Sequence, residues 1–293
     1  MLLSIIITLY NRKQLIGRCV ESIQNLSSNE DVEVIIIDDG STDEPLNVLS
    51  DYLDNKKIQY HYKENGGAAD AKNYGAALAT GEFIIFLDSD DYLINGEHLL
   101  SYIRNTHLCG YDFYYSSSVF IKKDDLMMED KIIDGVLSAQ RIYQYMLAFP
   151  LHYPGKPTYV FNRNTFVRSG GFCKKFRWGD AMLFWRVFLK NASCCEINFP
   201  SYVYDQSGND SISRSHNANY YSNVYSTLSK TFYHIEHDLI ENKMHLNWGG
   251  VLFLLALRCH DYRSVLRFFL MLIKEPVLSL KSFLVIANNR RAK

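Results

Sequence analysis

The sequence predicts a doubly wound α/β domain, with a mainly parallel sheet and helices on both faces, followed by a helical C-terminal appendage. Short, β-branched apolar runs alternate with segments of helical periodicity between residues 4 and 91. Nearly every such run stops at a polar turn that opens the next helix. The chain from Tyr220 to Lys293 then reads as helical throughout.

Ser4–Leu9 (SIIITL) is continuously apolar and β-branched, as a strand covered on both faces must be. Asn11 is placed to cap a helix in which Leu15, Ile16, Cys19, Val20, Ile23 and Leu26 recur at helical spacing. Val32–Ile37 is a second buried strand, ending in Asp38-Asp39-Gly40-Ser41-Thr42-Asp43 ahead of a helix with Pro45 near its first turn. Ile58–Tyr62 reads as a third strand. Ala68–Ala79 is an alanine-rich helix behind the Gly66-Gly67 turn, and Phe83–Leu87 is a fourth strand stopped by Asp88-Ser89-Asp90-Asp91. Strand and helix alternating at this spacing require right-handed crossovers and parallel pairing. Further on, Tyr111–Phe120 reads as one strand, Ser138 caps a helix over Ala139–Phe149, and Thr158–Asn162 is a short strand. Asp180–Leu189 is an amphipathic helix, Cys194–Phe199 and Tyr202–Asp205 are strand-like, and polar Gln206–Asn219 is a loop and domain boundary.

Composition narrows the function classes. A 47% hydrophobic and 22% charged chain is globular, and a formal net charge of −1 gives no ground for a nucleic-acid partner. Six scattered cysteines without a CxxC pair fit a reducing compartment better than a disulfide framework. Met1 leads straight into Leu2–Leu9 with no basic segment, and no run of about 18 apolar residues occurs. A cytoplasmic protein without leader or membrane-spanning helix is expected. There is no GxGxxG and no GxxxxGK[ST], so neither a dinucleotide oxidoreductase nor a P-loop NTPase is supported.

In doubly wound sheets ligands bind beyond the carboxyl ends of the strands, and the acidic clusters stand there. Asp88 and Asp90, at i and i+2 on an extended turn, point the same way and suit a hard divalent cation, Mg²⁺ or Mn²⁺, shared with a diphosphate. Alone, the same residues also make an ordinary polar turn. Asp39 can accept from a base N–H or a ribose hydroxyl, while Ser41 to Asp43 also serve a turn and helix cap. Tyr10 can pack on a base or on the edge of the core. Lys72, one turn into its helix, can meet a phosphate or base, although a lone lysine is more often a solvated surface charge.

SIIITLYNR, VEVIIIDDGSTD, NGGAADAKNYGAALATGEFIIFLDSDD and FVRSGGFCKKFRWGDAMLFWRVF resemble, in this order, the signature segments of family 2 glycosyltransferases with the GT-A fold, over roughly residues 3–216. The resemblance implies inverting transfer of a sugar from a nucleoside-diphosphate donor, most often a uridine one. It implies that Thr8, Tyr10 and Asp39 line the uracil site, Lys72 meets the diphosphate or base, and Asp88, with Ser89 beside it, faces the ribose. Asp90 would be the metal ligand, and Asp180 the catalytic base as the second residue of the family's Glu-Asp motif. Lys72 stands where the family usually has Arg, which turns a bidentate contact into a point charge. Gly179 stands where the motif has Glu, and Cys173 replaces a common Asp; both lie on the acceptor side.

The expected division is a catalytic domain over 1–216, with a nucleotide-sugar-binding half (1–110) and an acceptor half (111–216), and a helical region over 217–293. The polar loop resembles the segment that closes over donor in such enzymes, so Arg214 or His216 could touch diphosphate or metal, although a lone histidine in a polar loop more often simply faces solvent. From His245 on, Arg258, Arg263, Arg267, Lys274, Lys281, Arg290, Arg291 and Lys293 face only Asp261 and Glu275, a local charge of +6 among dense apolar residues. Such helices suit an anionic membrane surface, on the inner face of the plasma membrane, and a saccharide or lipid-linked saccharide acceptor in surface polysaccharide synthesis. A helical cap or oligomer contact is the plainer alternative. The functional alternatives are nucleotidyl transfer, for which Tyr10-Asn11-Arg12 is a poor loop, and a non-catalytic nucleotide-sugar-binding scaffold of the same fold.

Overall fold

The computed structural model describes residues 1–54, 56–116, 118–131, 159–172, 174, 192–207 and 245–274, with isolated helical positions between 222 and 240. The chain forms two compact units. One holds Met1–Gln140, Pro154–Lys175 and Gly179–Asn209; the other holds Arg141–Tyr153, Phe176–Trp178 and Asp210–Lys293. The expected division at 216/217 falls outside the described residues, as do the helices expected over 139–149 and 180–189.

The first unit opens with β1 (Leu3–Leu9), α1 (Lys13–Glu21), α2 (Gln24–Ser27), β2 (Val32–Asp38), α3 (Leu46–Leu53), β3 (Ile58–Tyr62), α4 (Ala68–Leu78), β4 (Phe83–Asp88), β5 (Tyr92–Leu93) and α5 (Gly96–Thr106). It continues with β6 (Phe113–Ser116), β7 (Ser118–Lys123), β8 (Leu126–Lys131), β9 (Tyr159–Asn162), α6 (Arg163–Arg168), β10 (Cys194–Ile197) and β11 (Tyr202–Asp205). Seven strands form one sheet in the order β10-β6-β9-β4-β1-β2-β3, and four form a second in the order β5-β11-β7-β8. In the large sheet β3, β2, β1 and β4 are parallel, and β9 runs antiparallel to its neighbours β4 and β6. The expected mainly parallel, doubly wound sheet is present.

The period of two along each strand explains why both faces are covered. Ile5, Ile7, Val34, Ile36 and Ile85 join Ile16, Cys19 and Val20 of α1 and Leu99 and Ile103 of α5 in one core. The alternate residues meet α4. Gly75 lies so close to the sheet that a Cβ there would collide with Ile6 and stand 3.2 Å from Cγ1 of Ile37. The small residues Ala71, Gly75 and Ala76 are what let this helix come so near, and it carries Lys72 with it.

Three local expectations are corrected. Asn11 does not cap α1: its φ is +50°, and its side chain accepts from the Thr42 amide at 2.8 Å, so the helix starts behind Arg12. The helical run over Leu15–Leu26 breaks into two, because the Ser22 hydroxyl donates back to the Cys19 carbonyl at 2.6 Å and accepts the Leu93 amide at 3.1 Å. Tyr111–Phe120 is not one strand: β6 belongs to the large sheet and β7 to the small one, and the Ser116 hydroxyl donates to the carbonyls of Ser118 and Phe199 where the chain changes sheet.

At the edge of the sheet remote from the acidic strand ends, buried Glu33 accepts from the Ser4 hydroxyl (2.6 Å), the Thr80 amide (2.7 Å) and hydroxyl (2.9 Å), and the Gly81 amide (3.2 Å). Burial pushes its carboxyl up, but these donors together hold it below its ordinary value. A carboxyl depressed on folding contributes stability above its unfolded pKa and loses it as the pH falls through the folded one. Glu33→Ala is therefore expected to cost about 3 kcal/mol at neutral pH by stranding these donors, and less below about pH 4. Urea unfolding at the two pH values checks it.

In the second unit, α7 (His245–Arg258) and α8 (Tyr262–Lys274) pack together around Trp248, Phe268 and Phe232. No helix among the described residues is long and apolar enough to cross a membrane.

Candidate active site

The parallel register sets the acidic strand ends level with one another. Leu9 lies across from Asp38, and Thr8 across from Asp88. One residue beyond each strand the pairing continues: the Asp39 amide donates to the Leu9 carbonyl (2.8 Å), and the Ser89 amide to the Thr8 carbonyl (3.2 Å). Distant sequence positions become one rim because β1 sits between β2 and β4.

Three of the expected residues meet at Asp88. Its Oδ1 accepts the Thr8 hydroxyl at 3.2 Å and lies 2.8 Å from the Lys72 ammonium. Lys72 also stands 5.9 Å from the centre of the Phe172 ring. Asn73 clamps that phenylalanine's backbone, donating to the Phe172 carbonyl and accepting the Phe172 amide, both at 2.8 Å. Gly171 is needed for the clamp: its φ is +63°, and a Cβ would sit 2.5 Å from Oδ1 of Asn73. Burial raises the Asp88 carboxyl, but the Lys72 charge and the hydrogen bonds of Lys72 and Thr8 bring it below its ordinary value. It is held ionised.

Asp90 is different. Its carboxylate is partly exposed, and Nε of Arg12 stands 4.0 Å away. Burial first, then the Asp88 charge, lift this carboxyl above its usual range. With Asp88 paired to Lys72 and only Arg12 near Asp90, the less compensated charge of the turn is that of Asp90, which suits a divalent cation shared with phosphate oxygens. Among the described residues no three His, Cys, Asp or Glu side chains form a metal cage.

Asp39 is buried and takes three donors from the protein: Lys63 Nζ (2.6 Å) and the Gly66 amide (2.9 Å) on Oδ1, and the Gly67 amide (2.7 Å) on Oδ2. It fastens the start of α4, and roughly one lone-pair site remains for a nucleotide. Tyr10 projects beyond β1, 49% exposed, whereas Ser89 is buried and shapes the turn. Asp180, Gly179, Cys173, Arg214 and His216 lie outside the described residues.

A second layer is not visible in the sequence pattern. Asp91 is buried and accepts the Tyr202 hydroxyl (2.5 Å) and the Asp205 amide (2.9 Å). Arg18 of α1 bridges the same strand to the turn after β4, donating to the Asp90 carbonyl (2.8 Å) and to Oδ2 of Asp205 (2.5 Å) while lying 4.7 Å from the centre of the Tyr92 ring. Only the third acid of DSDD, Asp91, hints at this layer. Arg18→Met leaves the buried Asp205 carboxylate to lean on Lys122, 3.7 Å away, and is expected to cost about 3 kcal/mol. The check is chemical denaturation, in which a loss under about 0.5 kcal/mol would remove Arg18 from the support of this turn.

The sequence pattern of glycosyl transferase family 2 matches residues 4–188, which include every strand and turn of this rim. The chain belongs to glycosyl transferase family 2. A relative, the poly(ribitol-phosphate) beta-glucosyltransferase of Bacillus spizizenii, is 29% identical over 191 residues, covering 58% of this chain and 30% of its own length. The chain thus spans about a third of the length of that relative. Among solved structures, S. aureus TarS 1–349 in complex with UDP-GlcNAc superposes with a TM-score of 0.60 at 17% identity, covering 96% of this chain and 79% of TarS 1–349. The mannosyltransferase PcManGT of Pyrobaculum calidifontis, in complex with GDP-Man and Mn²⁺, gives a TM-score of 0.57 at 17% identity over 95% of this chain and 80% of its own. These likenesses confirm the GT-A fold that the family 2 segments imply.

Proposed function

We propose that this family 2 chain moves a sugar, with inversion, from a nucleoside-diphosphate sugar, a uridine one by preference, to a hydroxyl of a saccharide or lipid-linked saccharide in surface polysaccharide synthesis. The observation that carries the reading is the meeting of Thr8, Lys72 and Asp88 beside Asp90, whose nearest cation, Arg12, stands 4.0 Å away, at the carboxyl ends of β1 and β4. That place and that charge suit a sugar diphosphate.

The residues divide the work. Tyr10 and the remaining acceptor site of Asp39 take the base. Lys72, already charged against Asp88, is placed to turn to the diphosphate. Asp88 and Asp90 would hold Mg²⁺ or Mn²⁺, which supplies Lewis-acid charge against the negative charge growing on the leaving diphosphate. Asp180, at the start of its expected helix, takes the proton of the attacking hydroxyl from the face opposite the leaving group, so that a single displacement inverts the anomeric centre. Residues 1–216 form the catalytic domain in this reading, and 217–293 an appendage at the inner membrane face.

A thermal-shift series of nucleoside-diphosphate sugars with and without Mn²⁺ tests the proposal. A donor at about 100 times its Kd is expected to stabilise the protein by about 2.7 kcal/mol. Slow metal-dependent hydrolysis of the same donor should accompany it. Binding without hydrolysis or transfer would replace the enzyme with a nucleotide-sugar-binding scaffold, and no shift with any donor would remove the reading.

A further inference from the structure

The two faces of α8 do not have the chemistry of a helix that ends at water. Its back is fixed: Phe268 and Leu272 are buried, and Phe268 packs edge-on against Phe232 at 5.8 Å. Yet Tyr262, Leu266, Phe269, Leu270 and Ile273 are all between 47% and 69% exposed. At about 100° per residue these five fall on one continuous stripe, on the side away from Phe268 and Leu272. Arg263 and Arg267, both exposed, occupy the arc directly beside that stripe, and the helical period puts position 274, a lysine, on the same arc. Neither α7 nor α8 contains an acidic residue. Asp261, in the turn between them, is occupied by the Tyr225 hydroxyl (2.7 Å) and the Ser264 amide (3.3 Å). Arg267 lies 4.5 Å from the centre of the Tyr233 ring, which holds its charge along the helix.

We propose that this stripe of α8, with its basic border, seats the protein on a bilayer containing anionic phospholipid. An exposed row of five large apolar side chains is unusual for a surface that meets only water. A helix of 13 residues is about 20 Å long, too short to span the hydrocarbon core of about 30 Å, so it lies in the interface plane. The apolar stripe enters the headgroup boundary, and the basic border meets lipid phosphates. Charge selects the occupant. A second copy would present α7 and α8 again, which carry no acidic side chain to neutralise Arg263, Arg267 and Lys274, whereas anionic headgroups supply that countercharge. The inference gives a physical form to the membrane-side acceptor proposed above, and rests on that reading for its purpose alone; adsorption needs neither donor nor turnover.

The test is co-sedimentation of the full chain with vesicles of phosphatidylcholine, alone or with about one third phosphatidylglycerol. The protein is expected to bind the anionic vesicles at least roughly tenfold more tightly, with the preference fading in high salt. Leu266→Glu with Phe269→Glu should lose binding to both vesicle types. Arg263→Glu with Lys274→Glu should lose the preference for the anionic ones. Both pairs should keep the thermal midpoint and the donor hydrolysis of the native chain. Failure of the native chain to sediment with anionic vesicles overturns the proposal, as does unchanged binding by both pairs. So does light scattering that shows the first pair splitting a dimer while vesicle binding persists. Absent hydrolysis with vesicle binding intact would strike the transferase reading and leave this one standing.

Discussion

Asp90→Ala is expected to reduce metal-dependent turnover by about a thousandfold, equivalent to roughly 4 kcal/mol of transition-state stabilisation. The neighbouring Asp88 is already matched, by Lys72 at 2.8 Å and the Thr8 hydroxyl at 3.2 Å. Asp90 has a guanidinium nitrogen only at 4.0 Å, and burial and the Asp88 charge both disfavour its ionised form. An acid whose pKa is raised on folding costs stability when ionised, at pH values above that pKa, and the cost vanishes as the pH falls through it. Removing the carboxylate should therefore leave the metal-free thermal midpoint at or slightly above that of the native chain, while activity collapses. A merely structural carboxylate would do the opposite. The paired measurement is a thermal scan without metal and initial rates across a Mn²⁺ titration. Near-native rates, or a lower midpoint together with slow turnover, would show that Asp90 holds the turn and not a cation.

The split between Asp88 and Asp90 could not be read from DSDD, although the turn itself could. A β-branched run such as Ile5-Ile6-Ile7 stops where the chain must meet water, so the strand ends and their acids are written in local sequence. Which acid finds a cation depends on α4, whose small residues let it approach β1 closely enough for Lys72 to reach across. Arg18 was hidden for a related reason. On the amphipathic α1 it looks like any solvated basic residue, and its partner Asp205 is 187 residues away. Asn11 misled because asparagine favours both an N-cap and the left-handed region, and only the distant Ser41 and Thr42 decide between them. Asp39 was legible as a strand-end carboxylate, but its ties to Gly66 and Gly67 belong to the tertiary fold. Periodicity records what a residue faces, not what arrives there from elsewhere in the chain.

Asp180→Asn is expected to lower transfer by about 10³-fold or more while donor affinity stays within about twofold of the native chain. The substitution keeps the shape of the side chain and its ability to accept a hydrogen bond, but removes the proton acceptor that the attacking hydroxyl requires. A sugar hydroxyl is far too weak an acid to ionise unaided near neutrality, so the loss should fall on kcat and leave the donor's thermal shift unchanged. Asp180 opens a sequence segment of amphipathic, helical periodicity. The position also decides between two kinds of protein. A scaffold that only binds nucleotide sugar has no use for a base, and in it Asp180→Asn would alter nothing but helix capping, by about 1 kcal/mol or less. Rates of transfer and of donor hydrolysis, measured side by side on Asp180→Asn and Asp90→Ala, separate the cases. Loss of both activities in Asp90→Ala, with transfer alone lost in Asp180→Asn, places the leaving group at the β4 turn and the acceptor hydroxyl at Asp180.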